Sequence, residues 1–223
     1  MVSLYYCIHL TCTSITYNID INPKGLVPAV EFSNKAIYES LVILELLEDA
    51  YPSQKPSLLP SDPYERAFAR IWIDYTSKSI IPATFRLIQA QEKDKQDSAR
   101  EELVQAFKTF AEQIKGPYFL GTEFSLVDTA IAPWIIRDYI PREHRGFTRE
   151  SVGSKWVEYT ALIEKRDSVI RTTSASLFLA TELLLLTWNI QDREHYAEIY
   201  GRYLRDEAQS EAAKATRAGR SFS

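Results

Sequence analysis

The stretch NPKGLVPAVEFSNKAIYESLVILELLEDAY, Asn22 to Tyr51, constrains this chain more than any other. Leu26 to Phe32 is rich in β-formers and carries Pro28 near its start. Proline donates nothing to a sheet ladder, so it belongs at a strand's beginning or edge. Asn34-Lys35 fits a short hairpin turn, and Ala36 to Tyr38 supplies the return strand. Glu39-Ser40 then precedes the apolar run Leu41, Val42, Ile43, Leu44, Leu46 and Leu47. Ser40 is the expected N-cap of a helix running to about Ala50. A helix start offers unpaired amides and partial positive charge, which suit a carboxylate. Ser40 adds a hydroxyl there, and the Glu39 carboxylate beside it suits an ammonium group. Together they fit the α-amino and α-carboxylate pair of an amino acid. Each residue alone is equally an ordinary strand proline or an ordinary serine cap.

The rest of the chain excludes several classes of protein. Its 223 residues suffice for one large or two small domains. Lysine and arginine number 26 against 30 aspartates and glutamates, a net charge of −4. That balance gives no basic field for nucleic acid or an anionic membrane. The two cysteines, Cys7 and Cys12, make no disulfide framework. His9, His144 and His195 are scattered without metal-ligand spacing, so no metal is expected. Residues 1–21 are β-branched and aromatic, as in one or two strands, and lack the pattern of a signal peptide. A cytoplasmic location is expected.

Tyr51 to Pro63 is punctuated by Pro52, Pro56, Pro60 and Pro63 and reads as a linker. Helical periodicity follows. Ser61 is placed to cap a helix with Pro63 in its first turn and a stripe of Ala67, Phe68, Ile71, Trp72 and Tyr75. Pro82 is expected to kink that helix. Gln91 to Arg100 reads as a connection, and Leu103, Phe107, Phe110 and Ile114 as the next amphipathic stripe. Ser125 and Asp128 form an acidic capping box, with Phe124 placed for a hydrophobic staple. The apolar helix after them is expected to be buried on most sides. Ser151 to Arg166 is a further helix, followed by a polar loop to Ser176. Leu177 to Ile190 reads as a core or partner-facing helix. The tail from Asp192 is expected to be helical early and frayed late.

Val27-Pro28 followed by Glu39-Ser40 and a leucine-rich helix resembles the glutathione-binding half of a cytosolic glutathione transferase. With LLPSDPYERA and FLGTEFSLVDTAIAPW in the same order, the chain is most similar to the omega class and its fungal members. The resemblance implies a mixed fold, α+β but mostly α. A partial thioredoxin-like, glutathione-binding domain over residues 1–52 would precede an all-helical C-terminal domain over 61–223. It implies glutathione as co-substrate, held by Val27, Pro28, Glu39 and Ser40, with Pro28 cis and the Val27 backbone pairing with the cysteinyl part. Ser125 and Asp128 become a stability element of the helical domain. The implied reaction is conjugation or thiol exchange on a small hydrophobic electrophile, in a homodimer. Trp72, Tyr75 and Trp134 are acceptor-pocket candidates, and more simply core residues.

The opening departs from the family pattern. A βαβ unit takes roughly 30 residues or more, and 26 precede Val27. The family's omega-like nucleophile is a cysteine followed by proline, whereas Ile8 follows Cys7 and Thr13 follows Cys12. No catalytic residue is carried over. Residues 1–21 and 176–190 do not fit the family pattern. They favour a second reading, a non-catalytic binding or interaction protein of this fold or an inactive product of a defective gene model.

Overall fold

The computed structural model describes residues 2–5, 22, 28–53, 56–172 and 193–220; within 193–196 only the backbone is described, as it is within 2–5. The chain divides into two compact units, Met1–Leu59 and Pro60–Ser223. Each is taken by itself.

The first unit holds a three-stranded sheet of β1 (Val2–Tyr5), β2 (Ala29–Phe32) and β3 (Lys35–Tyr38), in that spatial order. Both pairings are antiparallel. Val2 stands opposite Phe32, and Tyr5 opposite Ala29. On the other side Ala29 faces Tyr38, and Phe32 faces Lys35. The turn is therefore Ser33-Asn34, one residue earlier than expected. Both residues have positive φ, 51° and 59°, the backbone of a type I′ turn, whose twist matches that of the flanking strands. Asparagine tolerates this region well and serine less so, which hid the turn from a search for glycine. Pro28 lies just outside β2, where its missing N–H costs the ladder nothing.

Helix α1 (Ser40–Ala50) follows β3 and buries Ile43. Its N-cap is Glu39, not Ser40, which is the first helical residue. The first helical bond runs from the Ile43 amide to the Glu39 carbonyl at 3.0 Å.

Among the described residues of the second unit the regular elements are helices, with one isolated bridge between Tyr118 and Gly121. Helix α2 (Pro63–Tyr75) is capped by Asp62, whose carboxylate accepts from the Glu65 amide at 2.9 Å. The expected cap, Ser61, lies one residue too far out. At the place where Pro82 is expected to disturb the helix, a π turn over Thr76–Ile80 joins α2 to α3 (Ile81–Gln89). The Ile81 amide reaches back to the Thr76 carbonyl. Proline lacks an N–H and crowds the carbonyl four residues before it, and the widened turn absorbs both defects.

Helix α4 (Lys93–Glu112) begins inside the stretch read as a connection. Its polar first turns are held by Asp97, which pairs with Lys93 and, at 2.6 Å, with Arg100. Then come α5 (Leu126–Ile136), α6 (Tyr139–Arg145), α7 (Ser154–Lys165) and α8 (Asp167–Thr172). The start expected at Ser151 is displaced to Gly153, the N-cap, whose φ of 138° favours glycine. Asp167–Thr172 was expected as loop; a first-turn Asp167 and bonds from the Thr172 hydroxyl to Ser168 and Val169 carbonyls hold it helical. As expected, α5 is buried along most of its length.

The core between α4 and α7 is aromatic. Trp156 stacks on Phe107 at 4.5 Å, and Phe110 packs on Phe119 at 4.6 Å. Burying such rings is the largest hydrophobic contribution available to a unit this size.

The tail is not frayed. Helix α9 (Arg193–Leu204) and helix α10 (Glu211–Arg217) close the chain, and Ser210 caps α10 by accepting from the Ala213 amide at 3.1 Å. Tyr200, with Phe85, Ile88 and Ile140, forms a second apolar cluster that Tyr203 and Trp134 flank. Ile199 is partly exposed. The segment read as a core helix, 177–190, lies outside the described residues.

Candidate functional site

The ladder of β2 against β3 ends at the pair Ala29 and Tyr38. Pro28 and Glu39 are the next residues along the two strands, so the hairpin brings both positions to the end of the sheet where α1 begins. Pro28 is half-buried, whereas Glu39 and Ser40 are exposed. Val27, with its bond to Pro28, lies outside the described residues, as do Cys7 and Cys12.

Glu39 has φ 75° and ψ 116°. For a non-glycine residue this is a strained conformation, of the kind that costs about 1–3 kcal/mol and gathers at ligand clamps. It turns the chain sharply from β3 into α1, and the Glu39 side chain caps none of the first-turn amides. Those amides and the Ser40 hydroxyl therefore stand at the positive end of an eleven-residue helix without a side-chain cap. Nothing in the sequence marks Glu39 as left-handed, because glutamate is not a turn former. The chemistry of the mouth is an anion-accepting helix start beside a carboxylate.

Ser125 and Asp128 form the expected box, and Asp128 does more than cap. It is fully buried. Its Oδ2 accepts from the Ser125 amide at 2.8 Å and the Ser125 hydroxyl at 2.5 Å. Its Oδ1 accepts from the Phe119 amide at 2.9 Å and the Tyr159 hydroxyl at 2.7 Å. One carboxylate thus joins a loop, a helix start and the middle of α7. Burial, and then the Asp128 charge, push the Tyr159 phenol well above its ordinary range. The expected staple is not made. Its partner position is Thr129, whose hydroxyl donates to the Ser125 carbonyl. Phe124 instead meets Tyr118 edge-on at 5.4 Å and lies under the Arg166 guanidinium at 3.9 Å.

The aromatic pocket candidates do not converge. Trp72 and Tyr75 pack with each other at 5.0 Å, and Trp72 also packs on Phe119 and Phe110. Trp134 sits against Phe85 at 5.9 Å, in the cluster beneath the tail. Both positions are core positions. A network that sequence spacing did not reveal lies nearby. Arg149 pairs with the buried Asp138 at 2.5 Å and with Glu164 at 2.6 Å. Burial opposes its charge, and the two carboxylates together outweigh that and hold the guanidinium above the ordinary arginine range. Among the described residues no group of three or more potential metal ligands occurs. Among them, too, no helix is long and apolar enough to cross a membrane.

A small sheet followed by a helix, then a bundle of helices, is the two-part architecture of a thioredoxin-like domain joined to an all-helical one. The family model described as the glutathione S-transferase C-terminal domain matches residues 65–161. A probable glutathione S-transferase of Nicotiana tabacum, parC, is 31% identical over 156 residues, covering 69% of this chain and 70% of the relative. Glutathione S-transferase omega-1 of Sus scrofa is 38% identical over 120 residues, 52% of this chain and 48% of the relative. The crystal structure of glutathione transferase Omega 3C from Trametes versicolor superposes with a TM-score of 0.72 at 47% identity, over 87% of this chain and 76% of that one. The chain belongs to the glutathione S-transferase family, and it resembles the omega class.

Proposed function

We propose that this chain binds glutathione at the mouth of α1 and transfers it to, or exchanges thiols with, a small electrophile or disulfide. The observation that carries this reading is the conformation of Glu39. A non-glycine residue at positive φ, opening a helix start without a side-chain cap at the end of the sheet that Pro28 also borders, is the kind of strain that gathers at ligand clamps. The first-turn amides of α1 and the Ser40 hydroxyl would take the γ-glutamyl carboxylate. The Glu39 carboxylate would take the α-ammonium group, and the Val27 backbone would pair with the cysteinyl part. Membership of the family supports glutathione as the ligand, and a rice relative of the same fold was crystallised with glutathione.

Calorimetry with glutathione tests this. Hydrogen bonds to charged groups contribute about 1.5–3 kcal/mol, so Ser40→Ala and Glu39→Ala should each weaken binding about tenfold or more. Binding indifferent to both substitutions would place the ligand elsewhere.

No residue is assigned as the nucleophile, since neither Cys7 nor Cys12 precedes a proline. That observation favours a second reading, a binding protein of this fold without turnover. Assays with a conjugation electrophile and with a mixed disulfide separate the two, because only the first reading predicts product.

We further propose a cytoplasmic homodimer. Tyr64 and Ile71, seven residues apart on one face of α2, are 74% and 61% exposed, and a partner subunit would cover them. Sedimentation should show a dimer that Ile71→Asp dissociates.

A further inference from the structure

At the junction of α7 and α8 an exposed hydroxyl stands among cations. Residues 165–172 carry Lys165, Arg166 and Arg171 against one carboxylate, Asp167. Ser168 lies between these cations, and Ser168, Lys165 and Arg171 are all exposed. Neither Lys165 nor Arg171 makes an ion pair among the described residues. The Arg166 guanidinium, which covers the Phe124 ring, also donates to the Ser168 hydroxyl. Arg171 stands three residues further along α8, the spacing at which helical side chains are neighbours.

Two features set this hydroxyl apart. The first is that its cations are available. Among the described residues two other exposed hydroxyls follow a cation by three positions, and in each case that cation is occupied. Before Thr148 it is Arg145, whose guanidinium is bound to the Leu87, Ile88 and Leu204 carbonyls. Before Ser98 it is Lys95, paired with Glu92 at 3.1 Å. The second feature is the shortness of α8. Six residues are too few for a helix to hold itself. Opening it into an extended segment withdraws a single buried side chain, Val169.

We propose that Ser168 is a phosphorylation site for a protein kinase with an acidic substrate cleft. Kinases choose substrates by charge pattern. Lys165 and Arg166, three and two residues before the hydroxyl, are the charges that an acidic cleft takes. Ser168 Oγ attacks the γ-phosphorus of ATP. The new O–P bond forms as the bridging oxygen leaves with ADP, and the hydroxyl proton passes to the kinase's own base. The phosphate carries a charge of about −1.5 to −2. It is then held by Arg166, already in contact with the hydroxyl, and by Arg171, and this pairing orders α8. Asp167 opposes the phosphate and is outnumbered.

Incubating the folded full chain with Mg·ATP and the catalytic subunit of cyclic-AMP-dependent protein kinase, then mapping peptides by mass spectrometry, tests the assignment. The phosphoryl group should appear on Ser168 and be absent from Ser168→Ala. Lys165→Ala alters an exposed side chain, so it keeps the fold, and it should slow phosphorylation about tenfold, the value of one lost charge-assisted bond. In the phosphorylated chain, amide exchange across 167–172 should slow. No transfer to the folded chain, transfer to Thr148 or Ser174 instead of Ser168, or a rate unchanged by Lys165→Ala would overturn the site. Unchanged exchange would overturn the pairing with Arg166 and Arg171.

Discussion

At the scale of single residues, Asp128 and Ser125 illustrate how position outweighs type. As a simple capping pair each would contribute about 1 kcal/mol. Ser125→Ala should cost about that much in urea denaturation. Asp128→Ala should cost about 3–4 kcal/mol, because it strands buried donors on Ser125, Phe119 and Tyr159. Equal losses for the two variants would mean that Asp128 only caps. Tyr159 adds a dependence on pH. Its folded pKa is raised, so the folded state holds the phenolic proton after the unfolded chain has lost it. Its contribution is fully present below the unfolded value of about 10 and is lost as pH rises from there toward the folded value. Stability measured from pH 8 to 11 should therefore fall more steeply in the parent protein than in Tyr159→Phe. The box was legible from three-residue spacing. Tyr159 was not, since no local pattern announces a partner 31 residues away.

Among the elements, legibility followed how local the deciding force was. The apolar stripes containing Phe107, Trp156 and Ile163 are set by helical period, and these residues are buried. In α2 the expected stripe is out of place: Ala67 and Ile71 are exposed, and Ala69 and Ile73 are the buried positions. Boundaries set by caps moved by one to three residues. Ser61 and Ser40 each looked like caps, yet Asp62 and Glu39 hold those positions, and the helix expected from Ser151 is capped by Gly153. Serine is a good cap by chemistry, but the geometry of the preceding chain chooses the residue. Asp62→Ala should lower the melting stability by about 1 kcal/mol, with Ser61→Ala within about 0.5 kcal/mol of the parent. Calorimetric melting of the two variants decides it; the reverse order would restore Ser61. The mouth of α1 was legible as a set of residue types. Its strain was not, because a left-handed glutamate is imposed by the hairpin and helix on either side.

On the scale of the whole molecule, α9 and α10 belong to the helical unit rather than trailing from it. The Arg145 guanidinium donates to the Leu87, Ile88 and Leu204 carbonyls at 2.8–3.2 Å. It satisfies the C-terminal carbonyls of α3 and α9 together, where a cation also meets the negative ends of both helices. Gln91 adds a bond to Leu204 at 2.9 Å. Arg145→Met should raise amide exchange across 193–217 by about tenfold or more, leaving α4 and α7 protected. Arg145→Lys should not rescue it, since an ammonium group lacks the planar fork that spans three carbonyls. Helices α2 and α3 are likewise one rod, interrupted by the π turn at Thr76–Ile80. An α-helix advances about 100° per residue, so one extra residue is a phase shift between the two halves of a rod. The wide turn takes up that residue locally, so Ile88 keeps facing the tail it underlies. A residue added within the regular turns of α3 would meet no such slack and would swing Ile88 away from the tail by that angle.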